Sequence, residues 1–197
     1  MGFDDGSEVD VKELEDDTNW ELLRSLGYQG KQDHFVVPIK MHTDFASVPR
    51  VFVWFLPRYG RYTKAAILHD YLWREKVVDG TLSLLDADAL FRRAMRELGV
   101  PFLRRWIMWA AVRWGALLKK GGWSGWWKES WRVLLITAFA LPIVLPPGAV
   151  IVVALLVFYV VELATWAYLK LVEVAGVRIR KQPPRKQVNL PKPGWKL

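Results

Sequence analysis

Five side chains in this 197-residue sequence combine types and spacings that could do chemistry: Asp44, Ser47, His69, Asp70 and Asp88. A neutral imidazole with two or three carboxylates is an acceptable site for zinc, manganese or iron, and a histidine with a water held by aspartate is an acceptable general base. His69, Asp70 and Asp88 are therefore the candidate catalytic set and also the candidate ligands of a divalent metal, with Asp44 and Ser47 as substrate-binding or structural contacts. The adjacency of His69 and Asp70 is weak evidence alone, because neighbours on a helix point about 100° apart. A buried histidine hydrogen-bonded to Asp88, with Asp44 capping the stretch "FASVP", accounts for the same residues structurally.

Three hydrolase templates can be tested against this set. A phospholipase A2 uses a helical His-Asp pair, but its disulfides and glycine-rich calcium loop have no counterpart in a chain without cysteine. A phosphohydrolase of the His-Asp type would need His42, then His69-Asp70, then Asp88, and the final spacing is short for it. A Ser47 nucleophile lacks the glycine-flanked elbow that exposes such a serine.

The elements that must hold these residues are legible in outline. From Trp20 to about Pro49 the chain reads as short strands and turns, with "HFVVPIKM" carrying strand residues and an edge-demoting Pro38. A first helix is predicted over Tyr62 to Trp73, placing His69 in its apolar middle. A second begins at a capping box, Ser83 with Asp86, and stops at Gly99 and Pro101; Ala87, Leu90, Phe91, Ala94, Met95 and Leu98 form its core stripe, with Asp88 at the flank. A third is predicted from Pro101 to about Leu118, with Leu103, Trp106, Ile107, Ala110, Trp114 and Leu117 on its buried side and Arg104, Arg105 and Arg113 off it. The fold class expected is α+β, a small antiparallel sheet followed by about three helices and then a C-terminal transmembrane helical hairpin.

Composition supports the last part of that expectation. The sequence is 52% hydrophobic with 12 Trp, and the excess lies beyond residue 100. Residues 1–17 hold eight acids against one base, Lys12, which leaves the remainder with 27 bases and 12 acids. A basic body suits anionic lipid or nucleic acid. Lipid is favoured, because the bases lie beside apolar runs and no nucleic-acid fold signature accompanies them. The absence of cysteine excludes disulfide scaffolds, Cys-zinc sites and thiol nucleophiles, and the acidic start is not a secretory signal.

Between Arg132 and Glu162 lie 29 residues without a charge, which as one straight helix would run about 43 Å against a hydrocarbon core of about 30 Å. Pro146-Pro147-Gly148 reads as a turn between two arms. Bases flank both arms and none lies in the turn, so both termini are expected on the cytoplasmic face of a bacterial inner membrane. Trp123, Trp126, Trp127, Trp131 and Trp166 are the expected membrane-interface residues, the first four among lysine and arginine. The predicted organisation is an acidic disordered leader (1–18), an α+β domain (19–118), a Trp/Lys linker (119–130), a membrane hairpin (131–172) and a basic, proline-rich tail (173–197).

Four ordered blocks, "TDFASVPR" (43–50), "YGRYTKAAILHDYLW" (59–73), "DADALFRRAMRELGV" (86–100) and "MWAAVRWG" (108–115), resemble the phage-associated domain of unknown function 1353 family over residues 20 to 116. The resemblance implies an α+β unit of under about 120 residues, recurring polar positions at Asp44, Ser47, Pro49, His69, Asp70 and Asp88, and phage-derived or prophage-encoded proteins as partners. It supplies no substrate. The function expected is a membrane-anchored phage-related protein bearing a His/Asp hydrolase-like or metal site, with a non-catalytic anchor or adaptor as the alternative.

Overall fold

The computed structural model describes residues 2–15, 19–31, 33–46, 48–49, 52–118, 122–123 and 125–174. Ser47 and the predicted tail from 175 onward lie outside them. The architecture is α+β, with small antiparallel sheets followed by four helices.

Among the described residues, six short strands form two three-stranded sheets. β1 (Gly2–Phe3), β4 (Leu26–Gln29) and β5 (His34–Val37) make the first in the order β1-β4-β5, while β2 (Val11–Glu13), β3 (Trp20–Leu22) and β6 (His42–Thr43) make the second in the order β2-β3-β6. β5 is an edge strand and ends immediately before Pro38, whose missing N–H cannot extend a ladder.

The described part of the segment expected as a leader contributes β1 and β2. Phe3 pairs with Tyr28 and their rings lie 5.0 Å apart, and Val11 pairs with Leu22. The acids are spent locally, Asp4 on His34 at 2.9 Å and Asp10 on Arg24 at 3.3 Å. Counting charge concealed three apolar anchors, Phe3, Val9 and Val11, that sit against the core.

α1 (Thr63–Tyr71) lies on β4 and β5, and its four consecutive buried residues Ala65–Leu68 show a helix covered on all sides. It runs into a π-helical turn, Leu72–Lys76, closed by Val77 N–H donating to Leu72 O at 2.8 Å. α2 (Leu84–Glu97) starts as predicted: the Ser83 hydroxyl accepts from Asp86 N–H at 3.2 Å, and Gly99, at φ +69°, takes the left-handed position after the C-cap. Ala87, Phe91, Ala94 and Met95 are buried against α1 and α3.

α3 (Phe102–Ala116) departs from its predicted face. Leu103 and Trp114 are exposed, while Met108, Trp109, Arg113 and Ala116 are buried with Ile107 and Ala110. The cause is that α3 packs on α2 and on α4 together, so its covered surface is wider than one stripe.

α4 (Trp126–Val174) is one continuous helix of 49 residues, not two arms. Pro142, Pro146 and Pro147 lie inside it and forgo three intrahelical bonds. A turn there would leave about four carbonyls and four N–H groups unpaired at two new helix ends. No side chain between Ala138 and Phe158 carries a polar atom to replace those bonds. By length and composition α4 is long and apolar enough to cross a membrane, with 6% of its apolar window buried.

Candidate functional site: a buried carboxylate behind His69

The histidine and aspartate of "HDYLW" reach different partners, as a 100° step on a helix allows. His69 points from α1 to α2, where its Nε2 lies 2.8 Å from Asp88 Oδ1. Its ring is flanked by Phe91 at 4.7 Å and Trp73 at 6.2 Å between centroids, leaving 12% of the side chain exposed. Asp70 points to β6, where its Oδ2 accepts from Thr43 Oγ1 at 2.9 Å.

Asp88 is wholly buried and closely held. Oδ1 also accepts from Trp73 Nε1 at 3.2 Å, and Oδ2 accepts from Arg113 Nη1 at 3.0 Å, with both ends of that ion pair at 0% exposure. Burial pushes the Asp88 carboxyl up, but the hydrogen bonds and charge of His69, then those from Arg113 and Trp73, outweigh it and hold the group below its usual range. An ionised carboxylate only accepts, so His69 Nε2 carries the proton of their shared bond.

Asp70 is shifted the other way. Burial first, then the neighbouring Asp44 carboxylate, push it up to about 6 against the opposing pulls of His69, the Thr43 hydrogen bond and Arg74. Thr43 is itself fully buried and accepts from Phe45 N–H at 3.0 Å, so this second carboxylate is fixed from β6. Phe45 takes φ +65°, a strained value for a residue with a side chain, in the turn that carries half-buried Asp44.

The structure does not bring the expected metal ligands His69, Asp70 and Asp88 together as a set of three. His69 and Asp88 meet, Asp70 is bonded to Thr43 instead, and among the described residues no group of three or more His, Asp or Glu side chains converges to hold a metal. The predicted interface tryptophans also divide: Trp123, Trp127 and Trp131 are exposed and Trp166 is half-buried, but Trp126 is 5% exposed, and its Nε1 donates to the Arg113 carbonyl at 3.0 Å.

Arg113, Trp73 and Thr43 were missed by the sequence reasoning. A signal for Arg113 was present, because it stands four residues after Trp109 and three before Ala116, inside an apolar surface, and a buried Asp88 requires a counter-ion.

The fold and site define an α+β domain whose helices close over a buried Asp-Arg pair with a histidine at its margin. Residues 20–112 match the model of the family described as "Protein of unknown function (DUF1353)", which supports placing that part of the chain in the family. The match begins at β3 and stops one residue before Arg113, so β1, β2 and α4 lie outside it. No curated protein and no solved structure matches the chain.

Proposed function

We propose that the protein is a membrane-anchored domain carrying an acid–base centre of hydrolase type, with His69 as the base and Asp88 as the group that orients it. The observation that carries this reading is the 2.8 Å contact between His69 Nε2 and Asp88 Oδ1. With Nε2–H committed to the carboxylate, neutral imidazole keeps its lone pair on Nδ1, the nitrogen that would take a proton from a water or hydroxyl. A histidine set in one tautomer by a buried carboxylate is how acyl and phosphoryl hydrolases make a general base. Arg113 is a positioning residue, since it touches Asp88 and not His69 Nδ1. Asp70, facing β6, stands outside this centre.

The anchor is α4. Exposed Trp127 and Trp131 lie beside Lys128 and Arg132, a composition suited to an anionic headgroup layer. The setting proposed with it is a phage-derived or prophage-encoded assembly at a bacterial inner membrane, the membrane being suggested by the bases beside the apolar run.

A non-catalytic adaptor is the second reading, favoured by the complete burial of Asp88 and Arg113, which fastens α2 to α3 whether or not His69 reacts. The test is turnover of chromogenic esters and phosphoesters by the full chain in lipid nanodiscs. Wild-type hydrolysis that disappears in a His69→Gln variant of unchanged melting temperature supports the base. An inert wild type, or a His69→Gln variant that turns over normally, overturns it in favour of the adaptor.

A further inference from the structure

We infer that the bilayer begins after Ala140 and holds Leu141–Val161, so that α4 crosses once and emerges on the face opposite the domain. This deepens the anchor reading and rests on it. The first turns of α4 already have protein neighbours: Val133 is fully buried, Ile136 and Ala140 sit against the core, and Thr137 Oγ1 accepts from Trp114 Nε1 at 2.9 Å.

Charge runs alongside those same turns. Arg92 of α2 lies over the Trp106 ring at 4.2 Å, and Glu129, Arg132 and Arg105 are close enough to act on its charge. Sinking residues 126–140 into hydrocarbon would carry these side chains with them, at several kcal/mol for the set.

Beyond Ala140 the large side chains Leu145, Val150, Val153, Val157 and Val160 are exposed. Leu141–Val161 is 21 residues without a charge, about 31 Å of helix against a hydrocarbon core of about 30 Å. Using all 29 residues from Val133 would require a tilt of more than about 40°, the upper limit of the usual range. The far boundary is marked in the sequence by Glu162, followed by Trp166, Tyr168 and Lys170, which are interfacial residue types. A single crossing places them across the membrane from α3, where a hairpin would have returned them to the same side.

The natural absence of cysteine makes the test direct. Leu135→Cys, Val153→Cys and Leu171→Cys, each made alone in the full chain, are treated with a membrane-impermeant maleimide in intact spheroplasts and in inverted membrane vesicles. The expected result is labelling of Leu135→Cys in one preparation and Leu171→Cys in the other, with Val153→Cys labelled only after denaturation. Leu135→Cys protected like Val153→Cys, or Leu135→Cys and Leu171→Cys labelled from one side, overturns the placement while flotation with membranes keeps the anchor reading. A chain that fails to float and labels freely at Val153→Cys ends both.

Discussion

Where α1, α2 and α3 meet, the buried groups include a full charge and its counter-ion, whereas along α4 from Leu141 to Val161 the large exposed side chains are leucine, valine, isoleucine and phenylalanine. Each region inverts the ordinary relation between a side chain and water. In the first, the inversion is met by pairing inside the protein, because Asp88 has three donors around it. In the second none of the described residues covers the surface, and on the proposed anchor reading the compensation lies in a different solvent. The lesson is that the two regions should fail independently and for different reasons.

The largest separation should come from Arg113→Met. It leaves Asp88 buried without its cation, and the expected loss is about 3–5 kcal/mol. The melting temperature of the domain should fall by about 10 °C or more, while flotation of the full chain with vesicles is retained.

Val153→Lys should do the reverse. A lysine near the centre of a crossing helix costs about 2.5–3.5 kcal/mol of insertion, so the fraction of chain floating with vesicles should drop while the melting of the domain in detergent is unchanged. A domain that melts earlier in Val153→Lys would show that the two regions are coupled.

The subtlest contrast lies within the first region, between its two carboxylates. Asp70 has a folded pKa raised from 3.8 to about 6, so the folded state holds a proton more firmly than the unfolded chain, and stability falls as pH rises across that interval. The shift corresponds to a change of up to about 3 kcal/mol, less whatever local opening relieves. Asp88, with its pKa held down, has the opposite sign: its contribution is present above the ordinary carboxylate range and lost as pH falls below it. Urea melts of Asp70→Asn taken from about pH 2 to pH 7 should show the Asp70 slope removed between about pH 4 and 6, with the loss due to Asp88 at the acid end intact.

The helices were legible because their ends carry local chemistry. Ser83, Asp86 and Gly99 mark α2 through contacts within four residues of each other or of the helix end, and α2 forms where they predict. The strands of residues 2–13 were not legible, since two or three residues with one apolar anchor make no periodic pattern and are selected by distant partners such as Tyr28 and Leu22. At the site, the meeting of His69 with Asp88 followed from the helical pattern and the short connection between α1 and α2. Arg113 did not, because a charge on an apolar helix reads as a solvent face until α4 covers it. Pro146-Pro147-Gly148 misled in the same way, as local turn chemistry overruled by a segment with no alternative partners for its backbone.

The contact between Trp126 and Arg113 also bears on timing. Val133, Ile136 and Ala140, which finish the covering of the domain, follow every other core residue among those described and stand at the start of the apolar run of α4. A chain made from its N-terminus therefore receives the lid over its buried ion pair late, and the next residues to leave the ribosome are the apolar ones proposed to meet lipid. If α4 is the anchor proposed above, sealing of the domain and delivery of the helix to the membrane are consecutive events in the life of one nascent chain.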